Sequence, residues 1–327
     1  MSSEQILDIE MYQKLMDTYK DYIEIINNIF LLNTNDITRL YQEIVKFMDE
    51  YCLNVNAIAE MVNCAAENNE KYIRGYWEIF KKLHEDFKLE FSEQRDYNNE
   101  FYALITKEYN TKWSLSFKKY EDKTVEEILD VYPPNSVMQY IMNDDLENFR
   151  VLDIKDYDGE VNGMKYIDWC SYYGSLSCFK FLMSNGVKIS DETFKYSFHG
   201  KNHHIIHELL QQNLTPDYFC MENAIIMHNT DVVIYLFSNF DLEIPDNLIM
   251  KYFNLPLFLY KLCINKNFDS CLSKSVYFGI PSLVEFIFSK GVSEHSKNSA
   301  LHMEKEYGMK EIEKFLIENG AKNKTFE

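Results

Sequence analysis

The sequence predicts an all-α protein: antiparallel helices over residues 1–130, then repeated helical pairs over 131–327. Three observations carry this. Apolar residues recur at steps of three and four through the first part, and a pair of glycines twelve residues apart recurs three times in the second. Ten glycines and six prolines in 327 residues are too few for a sandwich or barrel with many tight turns. With 46% hydrophobic and 15% aromatic residues the chain can bury a large core, and its length suits two regions rather than one.

Residues 8–32 place Tyr12, Leu15, Met16, Tyr19, Tyr22, Ile23, Ile26, Ile29 and Phe30 on one helical stripe. Thr34 or Asn35 can cap a second helix through Leu40, Tyr41, Ile44, Phe47, Met48 and Tyr51. A third helix covers about 54–66, a fourth about 69–89, and more helical pattern fills 93–120. Pro133-Pro134 pushes the preceding residue out of the α region, which puts the boundary between the two regions near 125–135.

The repeat is read by superposing Tyr173-Gly174…Gly186-Val187, Phe278-Gly279…Gly291-Val292 and Tyr307-Gly308…Gly320-Ala321. Offsets from the first glycine are apolar in all three: Cys178, Leu283 and Ile312 at +4, Phe181, Phe286 and Phe315 at +7, and Leu182, Ile287 and Leu316 at +8. The first glycine turns the chain between two antiparallel helices, and the offsets form the buried face of the second helix. The last glycine takes the left-handed position that ends that helix. Weaker copies put Asp144, Lys201, His228 and Phe253 where the first glycine stands, so the period is 25 to 30 residues, as in a solenoid of about six units with atypical ends.

These residues resemble ankyrin repeats. The unit Ser299-Ala300-Leu301-His302, Gly308, Glu311-Ile312, Phe315-Leu316-Ile317 and Asn319-Gly320-Ala321 is similar to the family's TPLH…G…EIV..LL..GA pattern, and Ile167–Gly174 carries the same frame with Cys170 and Ser171 at the small positions. The chain also looks like a divergent ankyrin family, massively duplicated in some parasitic protists, that joins a helical N-terminal region to units of irregular length. The resemblance implies an ankyrin-repeat solenoid with a protein-binding concave surface, and for His302 a structural role bridging backbone between units. Most units are shorter than the family's, so the hairpin fingers are expected to be trimmed. One is expected to survive at Asp156-Tyr157-Asp158-Gly159, since Asp-Gly suits a hairpin turn. Glu304 and Lys305 replace the small pair in the last unit, which suits a polar end cap.

Charge and motifs exclude several function classes. The formal charge is −19, with 26 acidic and 15 basic residues in 1–130, so both regions repel phosphate backbones and anionic lipid. The expected partner is a protein with a basic face, not nucleic acid or a membrane. The start, MSSEQILDIEMYQ, lacks the basic-then-apolar pattern of a signal peptide, and no run of about 18 apolar residues occurs. Seven scattered cysteines without a CxxC pair fit reduced thiols in a cytoplasmic protein. His199, His203, His204 and His207 have metal-like spacing, but the repeat puts His199 in a turn and the others on the second helix. Position 204 is also His where an HExxH site needs Glu. Cys170 and Cys178 fall at a small and a core position, as packed thiols do.

The reading is a non-catalytic interaction module or adaptor without metal or cofactor, binding its partner through the concave ankyrin surface. The alternatives are an enzyme with an unrecognised site in the N-terminal helices and a self-associating structural protein. Candidate contacts are Trp169 and Tyr172 on a first helix, with Asp156 and Asp158 on the loop before it. Packing on the next unit is the competing reading for Trp169.

Overall fold

The computed structural model describes residues 8–33, 36–51, 53–91, 97–112, 118–212, 214–307 and 309–322, except for the side chains of 305–307. Among these, twenty-one α-helices make up nearly all the regular structure, so the protein is all-α. The described strands form one antiparallel hairpin, Glu160–Val161 against Met164–Lys165. Packing groups the chain into two compact units, one of residues 1–62, 78–90 and 249–327, the other of 63–77 and 91–248. This grouping cuts across the linear division near 125–135.

In the first unit, the run expected over 8–32 is two helices, Ile9–Thr18 and Lys20–Phe30, parted at Tyr19. Asp8 caps the first by accepting from the Met11 amide at 3.0 Å. Asp36 caps Ile37–Glu50 through the Arg39 amide, while the expected caps Thr34 and Asn35 lie outside the described residues. The predicted stripes are buried at Tyr22, Ile26, Ile29 and Phe30 and at Leu40, Ile44, Phe47 and Met48. They pack on late parts of the chain. The Tyr22 hydroxyl donates to the Phe278 carbonyl at 2.8 Å, Tyr12 meets Tyr260 edge-on, and Phe30 lies against Phe253. Each such buried side chain contributes about 1.5–3 kcal/mol of transfer free energy.

Among its described residues the repeat region holds seven helical pairs, against the about six units expected: Val137–Met142 with Leu146–Val151, Tyr166–Tyr173 with Leu176–Ser184, Asp191–Gly200 with His203–Leu210, Tyr218–Ile226 with Thr230–Phe240, Asp246–Lys251 with Leu255–Asn265, Phe268–Val276 with Pro281–Phe288, and Glu294–Tyr307 with Lys310–Glu318. Their turns share one conformation. Asp144, Gly174, Lys201, His228, Phe253 and Gly279 all have φ between +50° and +69°. Gly308, the seventh equivalent position, lies outside the described residues. At four of these turns the next amide reaches back to the same carbonyl: Asp145 to Tyr140, Ser175 to Cys170, Asn229 to Ala224 and Asn254 to Ile249, at 2.8–2.9 Å. That bond closes a Schellman turn. The residue making it stands at the N-cap position of the second helix, as Asn202 does in the third pair; the Asp145, Asn202 and Asn254 side chains accept from that helix, whereas those of Ser175 and Asn229 do not. A left-handed residue followed by the N-cap residue of the next helix makes each of these turns.

The +4 and +8 positions are the buried floor: Cys178, Leu182, Leu283, Ile287, Ile312 and Leu316 are at most 1% exposed. The +7 phenylalanines, expected in the core, are half-buried, and Phe181 packs edge-on against Phe149 and Tyr157. Gly186, Gly291 and Gly320 are left-handed as expected, with Val187 and Ala321 buried behind two of them. The expected polar end is corrected at Glu304, which is buried in the long Glu294–Tyr307 helix, whereas His302 is exposed.

Candidate functional site

In the second unit, three first helices, Tyr166–Tyr173, Asp191–Gly200 and Tyr218–Ile226, lie side by side and parallel. Near their starts Thr193 Oγ1 donates to Asp168 Oδ1 at 2.6 Å, and Lys195 Nζ lies 3.7 Å from Asp217 Oδ2. At their ends Asn202 Nδ2 donates to the Gly174 carbonyl at 2.9 Å. The loops before these helices therefore share one edge. Asp168 joins two successive helical pairs: it also accepts from the Lys165 amide, and burial raises its pKa. The Asp168–Thr193 bond was not legible in the sequence, because each residue reads locally as a helix-start residue.

The surviving finger sits a few residues later than expected. Asp156-Tyr157-Asp158-Gly159 makes a preliminary turn, closed by the Gly159 amide on the Asp156 carbonyl and by the Asp158 amide on Asp156 Oδ1. The hairpin itself turns at Asn162-Gly163, with φ of +53° and +81°. Asn-Gly and Asp-Gly both suit a hairpin turn, and Asn-Gly is the one that forms it here. Asp156 and Asp158 are exposed, and Asp158 lies 3.3 Å from Lys165 Nζ.

Trp169 and Tyr172 do come together, but in a packed cluster. Trp169 is 8% exposed. Its indole N–H donates to the Val161 carbonyl at 3.0 Å, which ties the finger to the helix, and its ring stacks on Tyr173. Tyr172 is half-buried and stacks on His199 at 3.9 Å. The segment around 68–72 and Tyr132 cover this face: the Tyr173 hydroxyl donates to Glu70 and lies 3.0 Å from the Tyr132 hydroxyl. Burial pushes the Glu70 carboxyl and the tyrosine hydroxyls up. His199 is buried in a helix rather than placed in a turn, and desolvation lowers it to about 4 despite the Tyr172 carbonyl at its Nδ1. Trp169 is packed, but on its own finger and helix and on Tyr132 rather than on the next repeat, and the accessible members of the four are Asp156 and Asp158.

The loop edge offers further exposed groups. Tyr218 and Phe219, at the start of their helix, are 48% and 56% exposed, and Lys195 lies over the Phe219 ring. His203, His204 and His207 are exposed, and no group of three His, Cys, Asp or Glu suited to a metal occurs among the described residues. Cys170 and Cys178 are fully buried, with the Cys178 thiol pushed up to about 12 by burial and by Asp144. No helix among the described residues is long and apolar enough to cross a membrane.

A family model described as a domain of unknown function, DUF3447, matches residues 184–261, a stretch that includes the third and fourth helical pairs. This domain is often found in ankyrin-repeat proteins. No curated protein matches the chain.

Proposed function

We propose that the chain is a non-catalytic protein-binding module of the ankyrin kind, a solenoid that works in the cytoplasm and recognises a partner with a basic face. The observation that carries this is the turn conformation repeated at six equivalent positions, with first helices parallel beneath one edge of loops. Such a frame aligns side chains from successive units into one extended surface, as repeat proteins use for binding. The DUF3447 match supports the same class. Because Trp169 is packed, the contact surface moves from the centre of the first helices to their loop edge, where Asp156, Asp158, Tyr218 and Phe219 are exposed. Aromatic side chains supply contact energy and the acidic finger steers a basic partner.

The test is quantitative capture from native extract by the wild-type chain and by Asp156→Asn/Asp158→Asn and Tyr218→Ala/Phe219→Ala. The reading expects a defined set of proteins, enriched in basic surfaces, that both variants lose while keeping their melting temperatures. Identical capture by wild type and both variants would remove the loop edge as the contact surface.

A further inference from the structure

We infer that the groove between the Lys20–Phe30 and Ile37–Glu50 helices is a docking site for a lysine- or arginine-bearing segment of a protein partner, an inference that rests on the protein-binding reading. The groove holds about 260 Å³ and lies wholly within the first unit. Ile25 and Phe47 form its floor, and both are buried. Tyr51 closes one end, edge-on to Tyr22 at 5.5 Å and tilted on Phe47 at 4.9 Å.

The walls are carboxylates. Asp21 and Glu24 stand on one helix at a step of three, with Glu43 and Glu50 on the other. Glu43 is paired with Arg39 at 2.9 Å. Asp21, Glu24 and Glu50 are exposed and form no ion pair among the described residues, and Lys46 is the one ammonium on the wall. Like charges on neighbouring helical positions repel, so the groove carries uncompensated negative charge over an apolar floor.

Lysine and arginine side chains match that arrangement because each carries an apolar stem and a charged head. The stem lies along Ile25 and Phe47, and the head sits between Asp21, Glu24 and Glu50. The Tyr51 ring adds cation–π attraction at the closed end. A neutral or acidic segment gains nothing from the walls.

The test uses a fluorescein-labelled hexa-arginine peptide, titrated with the full chain and followed by anisotropy at about 0.15 M salt. One variant, Asp21→Asn/Glu24→Gln/Glu50→Gln, neutralises the groove. A second, Glu10→Gln/Asp17→Asn/Glu311→Gln, removes the same charge from exposed positions outside it. The groove variant should bind about tenfold more weakly, or about 1.4 kcal/mol, and the control within about twofold of wild type. Equal weakening in both variants, or no weakening in the groove variant, would overturn the site. All six substituted side chains are exposed, so both variants should fold. Capture at the loop edge is read separately with variants that leave this groove intact, so the two readings fail independently.

Discussion

Gly174 and Gly200 meet backbone to backbone: a Cβ on Gly174 would lie 2.4 Å from the Gly200 carbonyl oxygen, and one on Gly200 would lie 2.0 Å from the Ser171 carbonyl oxygen. Two neighbouring first helices approach here to a distance only glycine allows. The left-handed turn alone does not require glycine, since Asp144, Lys201, His228 and Phe253 hold the same conformation with side chains. Gly200→Ala should therefore cost about 3 kcal/mol through overpacking. Gly186→Ala and Gly291→Ala face open space and should cost only the left-handed strain, about 1–2 kcal/mol. Urea unfolding of the three variants checks the ranking, and a neutral Gly200→Ala would contradict it.

The buried floor of the second helices gives a sharper contrast. Leu182 is fully buried and Phe181, its neighbour, is half-buried. Leu182→Ala should destabilise by about 2–5 kcal/mol, and Phe181→Ala by less despite removing a larger side chain. Thermal unfolding of Leu182→Ala indistinguishable from wild type would show that the repeat is misaligned.

Trp169→Ala should lower stability by about 3–5 kcal/mol, because it empties a packed site and removes the N–H bond to Val161 that holds the finger. Thermal unfolding checks this. A contact residue in an open groove would instead leave the melting temperature unchanged when truncated.

His199 should make the protein acid-sensitive. Its folded pKa, about 4, lies below the ordinary 6.5, so between these values the unfolded chain binds the proton more readily. Its contribution is full above pH 6.5 and is lost as pH falls toward 4. Between pH 7 and pH 5 the loss is about 2 kcal/mol. Glu70 is raised above its ordinary 4.5 and works the other way, weakening the fold as pH rises above 4.5. Comparing wild type with His199→Gln by urea unfolding at both pH values isolates the histidine. An equal slope in the two proteins would contradict its buried, neutral state.

Much of this fold was legible because helical periodicity and glycine spacing are local signals. Even the degenerate turns at Asp144, Lys201, His228 and Phe253 could be placed by counting from the clear copies. The Asp and Asn residues at the N-cap positions after them, Asp145, Asn202, Asn229 and Asn254, were equally local and would have strengthened that alignment. The candidate site was less legible. Trp169 reads from its own repeat as a groove residue, but Tyr132 packs edge-on against it and Glu70, distant in sequence, accepts from the neighbouring Tyr173. The groove beside Phe47 and Tyr51 was hidden for a similar reason. Periodicity assigns both residues to one core stripe and cannot tell a floor from a filled interior.

The most direct test of the protein-binding account is crosslinking of the chain to the partner it captures, read by mass spectrometry with a lysine-reactive reagent. The account predicts crosslinks at Lys155, Lys165 and Lys188, which lie on the finger and the next loop of the same edge, and none at Lys180 on the exposed side of a second helix. Crosslinks concentrated at Lys180, with the loop lysines unmodified by the partner, would contradict it.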